Sequence, residues 1–127
     1  DYVAVFRYDN STETHVLYGD IIRGEDGTNF GSAIDISSRG DRIVVGAPFF
    51  SERRGKAEVF DYHDGGSGAA WELIDTPVEG ETVDESEGYS VSLSPEGDYF
   101  AMGSNEENGR VSFSKLRGRC SWWRRTS

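Results

Sequence analysis

The side chains best able to do chemistry fall into a few short stretches. Glu79, Glu81, Asp84, Glu85 and Glu87 put five carboxylates into nine residues. Hard divalent cations take oxygen ligands of this kind, and the same charges would attract a basic partner. The run reads first as a solvated acidic loop. No metal site is assigned, and Glu81, Asp84 and Glu85 are the candidates if a cation binds at all. Asp61-Tyr62-His63-Asp64-Gly65 resembles a ligand cluster but leads into a Gly-rich turn, GGSG. His15 and His63 are the two histidines. Ser, His and Asp can be combined on paper in any β protein with this many of them. No Gly-x-Ser-x-Gly elbow marks such a set, so no catalytic residue is assigned and the chain is read as non-enzymatic.

The C-terminal stretch carries a different chemistry. Residues 1–116 hold all 23 acids and nine bases, a net of −14, while residues 117–127 hold four Arg and no acid. Trp122, Trp123 and Arg124 are the candidate partner-binding residues, because indole rings beside guanidinium groups suit a membrane surface or an acidic groove. The overall charge of −10 argues against nucleic acid, which needs a basic face. Cys120 stands alone, so no disulfide can form within the chain. No apolar run of the length that spans a membrane occurs. The chain opens at Asp1 on the strand-like DYVAVFRY, as a mature form or a fragment would.

These residues must be positioned by a repeat. Gly31-Ser-Ala-Ile-Asp-Ile-Ser-Ser-Arg-Gly40-Asp41 aligns without gaps to Gly88-Tyr-Ser-Val-Ser-Leu-Ser-Pro-Glu-Gly97-Asp98. Ala57-Glu-Val-Phe-Asp-Tyr62 recurs one repeat earlier as Val3–Tyr8 and one repeat later as Val111–Leu116. Trp71-Glu-Leu-Ile pairs with His15-Val-Leu-Tyr. The pieces alternate apolar and polar residues with the period of a strand, and Gly40 and Gly97 sit where a hairpin turn needs positive φ. Ile43-Val-Val and Phe100-Ala-Met are apolar on both faces, as in strands buried between sheets. No sustained helical period appears. The fold expected is all-β, a partial β-propeller of four-stranded antiparallel blades with about two blades visible.

Phe30-Gly31…Gly40-Asp41…Gly46-Ala47-Pro48, with Trp71 downstream, resembles the FG-GAP repeat of integrin-α-like propellers. The second copy is altered at Glu87-Gly88 and at Gly103-Ser104. The resemblance implies an adhesion or recognition propeller, placed outside the cell or on its surface, with a protein or glycan ligand. In the integrin version a calcium loop joins the first two strands of some blades. Here Ser37–Asp41 and Ser94–Asp98 are too short to wrap such an ion, so no cofactor is expected by that route. Arg39-Gly40-Asp41 matches the tripeptide integrins bind. Gly97-Asp98 fills the same place without an Arg, which favours a plain turn. Asn10-Ser11-Thr12 is a glycosylation acceptor sequence in an expected loop.

The register divides the chain into 1–29, the last two strands of one blade; 30–87, a complete blade; 88–116, three strands of the next; and 117–127, a basic tail outside the repeat. Phe30, Gly31, Gly40, Asp41, Gly46, Ala47, Pro48, Trp71, Gly88, Gly97, Asp98 and Gly103 are its structural positions. Open blade faces call for neighbouring blades or subunits. A head-to-tail ring of identical chains would carry a surplus third strand at each junction. The function expected is a non-enzymatic recognition, adhesion or scaffolding module; the alternative is an accessory subunit of a large assembly.

Overall fold

A computed structural model describes residues 1–65, 68–106, 110–116 and 123–126, with backbone alone for 65, 68–69 and 123–126. The described residues are mostly β-strand, in small antiparallel sheets. Its N-terminal part forms two small pairs: β1 (Tyr2–Val3) with β4 (Ile22–Arg23), and the hairpin β2 (Phe6–Asp9) with β3 (Thr14–Leu17). A four-stranded sheet follows, in the order β5 (Ala33–Ile36), β6 (Arg42–Ala47), β7 (Lys56–Gly65), β8 (Gly68–Glu79). The second sheet repeats that order with β9 (Ser90–Leu93), β10 (Tyr99–Gly103), β11 (Val111–Leu116) and β12 (Trp123–Thr126). The described residues close no barrel or ring.

Among the described residues the one helical segment, α1 (Phe50–Arg53), is an irregular turn in which Ser51, Glu52 and Arg53 all have positive φ. The tail departs from its expected place. β12 pairs along β11, from Leu116 opposite Trp123 to Phe113 opposite Thr126. It therefore completes the second sheet rather than lying outside it. The sequence concealed this because its Arg- and Trp-rich residues share no pattern with Trp71-Glu-Leu-Ile.

Alternation decides which way each strand faces. From the first sheet Ile43, Val45, Ala47, Phe60 and Trp71 pack against Val3, Ile22 and Phe30. From its other face Val44, Ala57, Val59 and Val78 pack against Leu93, Phe100, Met102 and Leu116 of the second sheet. The first sheet is thus buried on both sides, which explains why β6 is buried at every position. The repeat is preserved in three dimensions. Ile43 and Phe100 are repeat equivalents, and both face the element that precedes their own sheet.

Two glycines set the spacing between sheets. A Cβ on Gly46 would overlap the Gly88 carbonyl, and one on Gly88 would overlap that of Lys56. The connection from β8 to β9 lies against the end of the first sheet, bridged at Gly55 and Glu87. The Phe-Gly and Gly-Ala-Pro elements of the sequence are therefore places where backbone meets backbone.

Candidate functional site

The β5–β6 turn and the β9–β10 turn lie side by side at one end of the two sheets. Gly40 and Gly97 take the positive φ expected of them, 73° and 78°. Ser38 ties the turns together, donating both its N–H (2.8 Å) and its hydroxyl (2.9 Å) to the Pro95 carbonyl. Nearby, the Leu93 N–H donates to an Asp35 carboxylate oxygen at 2.7 Å.

Beneath the turns sits a buried ion pair. Arg42 grips Asp61 with two hydrogen bonds, from Nε at 2.6 Å and Nη2 at 2.9 Å. Its Nη1 donates to the Gly97 carbonyl at 2.7 Å, crossing from one sheet to the other. The hydrogen bond to Asp61 holds the Arg42 guanidinium above its usual range, more than offsetting the opposing effect of burial. A two-pronged contact of this kind is the strong form of a charged hydrogen bond.

These groups line a cleft of about 360 Å³. Ser37, Ser38, Arg39 and Asp41 form one wall, Pro95, Glu96 and Asp98 the other, and Arg42 with Asp61 the floor. The Ser37 hydroxyl donates to Asp41 at 3.0 Å. Four carboxylates against two guanidinium groups give the cleft an acidic balance. Asp75, on β8, adds a further carboxylate close enough to feel Arg42 and Asp61. Burial raises its carboxyl above the usual range, with the Asp61 charge adding to the rise and Arg42 opposing it. Its Oδ2 is buried without a protein hydrogen-bond partner, and the residue has φ of 57° where the β7–β8 register slips.

The acidic run lies at the opposite end of the sheets. Glu81 meets Arg110 at 3.0 Å and Glu85 meets the same guanidinium at 3.6 Å. Asp84 sits 3.9 Å from Arg53. The three metal candidates are thus drawn toward cations of the chain itself. Among the described residues no three His, Cys, Asp or Glu side chains converge on a point that could hold a metal. His63 pairs with Glu72 at 3.2 Å across the β7–β8 hairpin, and His15 stacks edge-on against Tyr8. Trp71 donates its indole N–H to the Tyr18 carbonyl at 2.8 Å, joining the N-terminal strands to the first sheet. Of the tail candidates, Trp123 and Arg124 lie on β12, while Trp122 lies outside the described residues.

Glu87 is a buried group that sequence reasoning missed, although the repeat held the signal. It aligns with Phe30, a core position, and is itself fully buried. The Ser112 hydroxyl contacts both its carboxylate oxygens, at 3.3 and 3.4 Å. The cleft residues escape sequence reasoning as a set because the two walls come from turns a full repeat apart along the chain.

No family model matches the chain, and no curated protein matches it. Solved structures that share its fold include a Bacteroides uniformis protein described as a "putative 6-phosphogluconolactonase". The two superimpose with a TM-score of 0.66 at 17% identity, over 98% of this chain. The chain spans about a third of that protein's length, 34%. These findings overturn the assignment to the FG-GAP repeats. The Phe-Gly and Gly-Ala-Pro elements answer a need for close backbone approach that is not peculiar to one family. The reading as a non-enzymatic adhesion, recognition or scaffolding module, with its accessory-subunit alternative, rested on that resemblance and falls with it. The fold is shared with a protein described as an enzyme. The extracellular placement loses its support for the same reason. Among the described residues no helix is long and apolar enough to cross a membrane.

Proposed function

We propose that this chain belongs to a lactone-hydrolysing enzyme and that the cleft between the two turns is the part of the substrate surface it supplies. The observation that carries this reading is the fold likeness along nearly the whole chain to a protein described as a lactonase. The cleft adds to it, being concave and lined by convergent polar groups on turns held by a rigid scaffold. We also read the two four-stranded sheets as consecutive blades of a propeller, with 1–29 before them, the first near 30–87 and the second running from 88 to include β12. The identical strand order and the preserved direction of facing support that architecture.

A lactone is a cyclic ester. Water attacks its carbonyl carbon, a C–O bond forms, the ring C–O bond breaks, and the attacking water's proton ends on the ring oxygen. Asp41 and Asp98 are the carboxylates placed to take that proton from water, and Arg39 on the rim can donate to the developing oxyanion. The acidic balance also selects the substrate. A phosphate group would be repelled, whereas sugar hydroxyls would find acceptors in Asp41, Glu96 and Asp98. The substrate class proposed is therefore an unphosphorylated sugar lactone.

Hydrolysis followed by proton release at constant pH tests this, comparing a sugar lactone with its 6-phosphate. Turnover of the former should exceed that of the latter. Asp41→Asn and Asp98→Asn together should lower kcat/KM by about 100-fold or more with little change in melting temperature. Turnover no faster than the spontaneous reaction, or untouched by both substitutions, would refute the assignment.

A further inference from the structure

Asp41 and Asp98 are repeat equivalents, each following the positive-φ glycine of its turn. Each is preceded by a serine four residues earlier, Ser37 and Ser94, and the two hydroxyls are wired differently. Ser37 is buried, accepts the Arg42 N–H at 3.1 Å and donates its one proton to Asp41 Oδ1 at 3.0 Å. Ser94 accepts two backbone N–H groups, those of Asp98 and Tyr99, each at 3.0 Å. A hydroxyl has one proton and two lone pairs. Ser94 gives both lone pairs to its own turn, whereas Ser37 takes one backbone bond and reaches the carboxylate instead. Among the described residues the Asp98 carboxylate accepts no hydrogen bond and joins no ion pair. Asp41 is partly buried and held, while Asp98 is exposed and keeps its lone pairs for whatever enters the cleft.

We propose, resting on the hydrolytic reading above, that the two carboxylates divide the work. Asp98 is the base that takes the proton from water, and Asp41, aimed by Ser37, grips a hydroxyl of the sugar ring. The walls of the cleft support this division. Arg39 shares a wall with Asp41, and Asp98 stands on the other. Water attacks a carbonyl carbon from above the plane that holds the carbonyl oxygen, so the oxyanion donor and the base belong on different sides of the substrate. Arg39 on the carbonyl oxygen and Asp41 on a hydroxyl hold the lactone to the first wall, leaving one face of the carbonyl carbon turned to water at Asp98. As the water oxygen bonds to that carbon, its proton passes to Asp98 and the carbonyl oxygen becomes the oxyanion. The carbonyl then re-forms, the ring C–O bond breaks, and Asp98 gives the proton to the ring oxygen. The new carboxylic acid loses its own proton to solvent. Ser37 touches no substrate and acts through Asp41, which makes it a positioning residue.

Two measurements read the roles apart: hydrolysis of gluconolactone, and calorimetric binding of the matching lactam, in which a ring N–H replaces the ring oxygen. Asp98→Asn should lower kcat about 100-fold and leave lactam affinity unchanged. Asp41→Asn should raise KM and weaken lactam binding by about tenfold, the worth of one hydrogen bond to a charged group, with kcat little altered. Ser37→Ala should move KM and lactam affinity in the same direction. Combined with Asp41→Asn it should add nothing, because a residue that acts through another has no effect once that other is gone. Asp41→Asn and Asp98→Asn change side chains at the cleft surface, so their comparison stands even where Ser37→Ala fails to fold. With hydrolysis intact, a kcat loss in Asp41→Asn in place of Asp98→Asn, or an additive double variant, overturns the division of labour alone. Lactam binding with no turnover above the spontaneous rate overturns the hydrolytic reading and the role of Asp98. A lactam that does not bind, or binds equally well to Asp41→Asn, overturns the grip.

Discussion

The two four-stranded sheets share strand order, register and direction of facing, but they are held in different ways. In the first, Arg42 and Asp61 stand opposite each other across β6 and β7 as a buried ion pair. In the second, the same positions are Tyr99 and Lys115, and the ammonium lies over the exposed ring at 5.4 Å. Behind the first sheet, Phe30 meets Phe60 edge to face at 6.3 Å. Behind the second, the corresponding residues are Glu87 and Ser114, with Ser112 contacting the Glu87 carboxylate. One repeat has therefore been written twice, once with charge between the sheets and oil behind, once with the polarity moved. The backbone specifies the four-stranded unit. The side chains specify which neighbour each unit accepts.

That contrast is broken most sharply at Asp61. Asp61→Ala would leave the Arg42 guanidinium buried without its carboxylate, a loss of about 3–5 kcal/mol for a pair of this kind. Lys115→Ala at the equivalent position touches an exposed ring only and should cost less than about 0.5 kcal/mol. Urea unfolding of both variants gives the comparison. Equal losses would mean that the ion pair contributes no more than a surface contact.

Glycine draws the next distinction. Gly46 and Gly103 are repeat equivalents, and the sequence treats them alike. A Cβ on Gly46 would collide with the Gly88 backbone, whereas one on Gly103 meets only the Ser90 hydroxyl, at 2.7 Å, which can rotate away. Gly46→Ala should destabilise by about 1–3 kcal/mol or more, as overpacking does, and Gly103→Ala by well under half of that. Melting temperatures in the same buffer decide it. A similar drop in both would place a backbone against Gly103 as well.

The strand positions, the hairpin glycines and the register between the two copies were legible because they depend on local alternation and turn chemistry, which one residue string carries. Val44 and Ile43 announce burial on two faces without any knowledge of the partner. The family resemblance misled for a related reason. Phe-Gly and Gly-Ala-Pro encode close approach, and Gly46 against Gly88 needs that whatever the molecule does. The cleft was harder to see. Asp41 and Asp98 read as turn residues in each copy, and only the stacking of two sheets makes them facing walls. β12 was hidden more deeply, since an outer strand with one neighbour needs little apolar pattern to pair.

The smallest effect, and one that probes the ion pair under the cleft, is at Asp75. Its carboxyl has been raised by burial near Asp61, and a carboxylate whose folded pKa lies above its unfolded one favours the folded state most when protonated. That contribution is complete below the unfolded value and is lost as pH rises through the folded one. At neutral pH the charged form is therefore a liability. Asn at this site removes the charge and tolerates the left-handed backbone that Asp75 adopts. Asp75→Asn should accordingly raise the melting temperature at pH 7 by about 1–4 °C, with the gain shrinking as pH falls toward about 4 and the wild-type carboxyl protonates. A gain that persists unchanged at low pH would assign the effect to backbone conformation. A loss at pH 7 would mean that the charged carboxylate is itself needed beside Arg42, making the cleft floor a three-group network where the second sheet has only a ring and an amine.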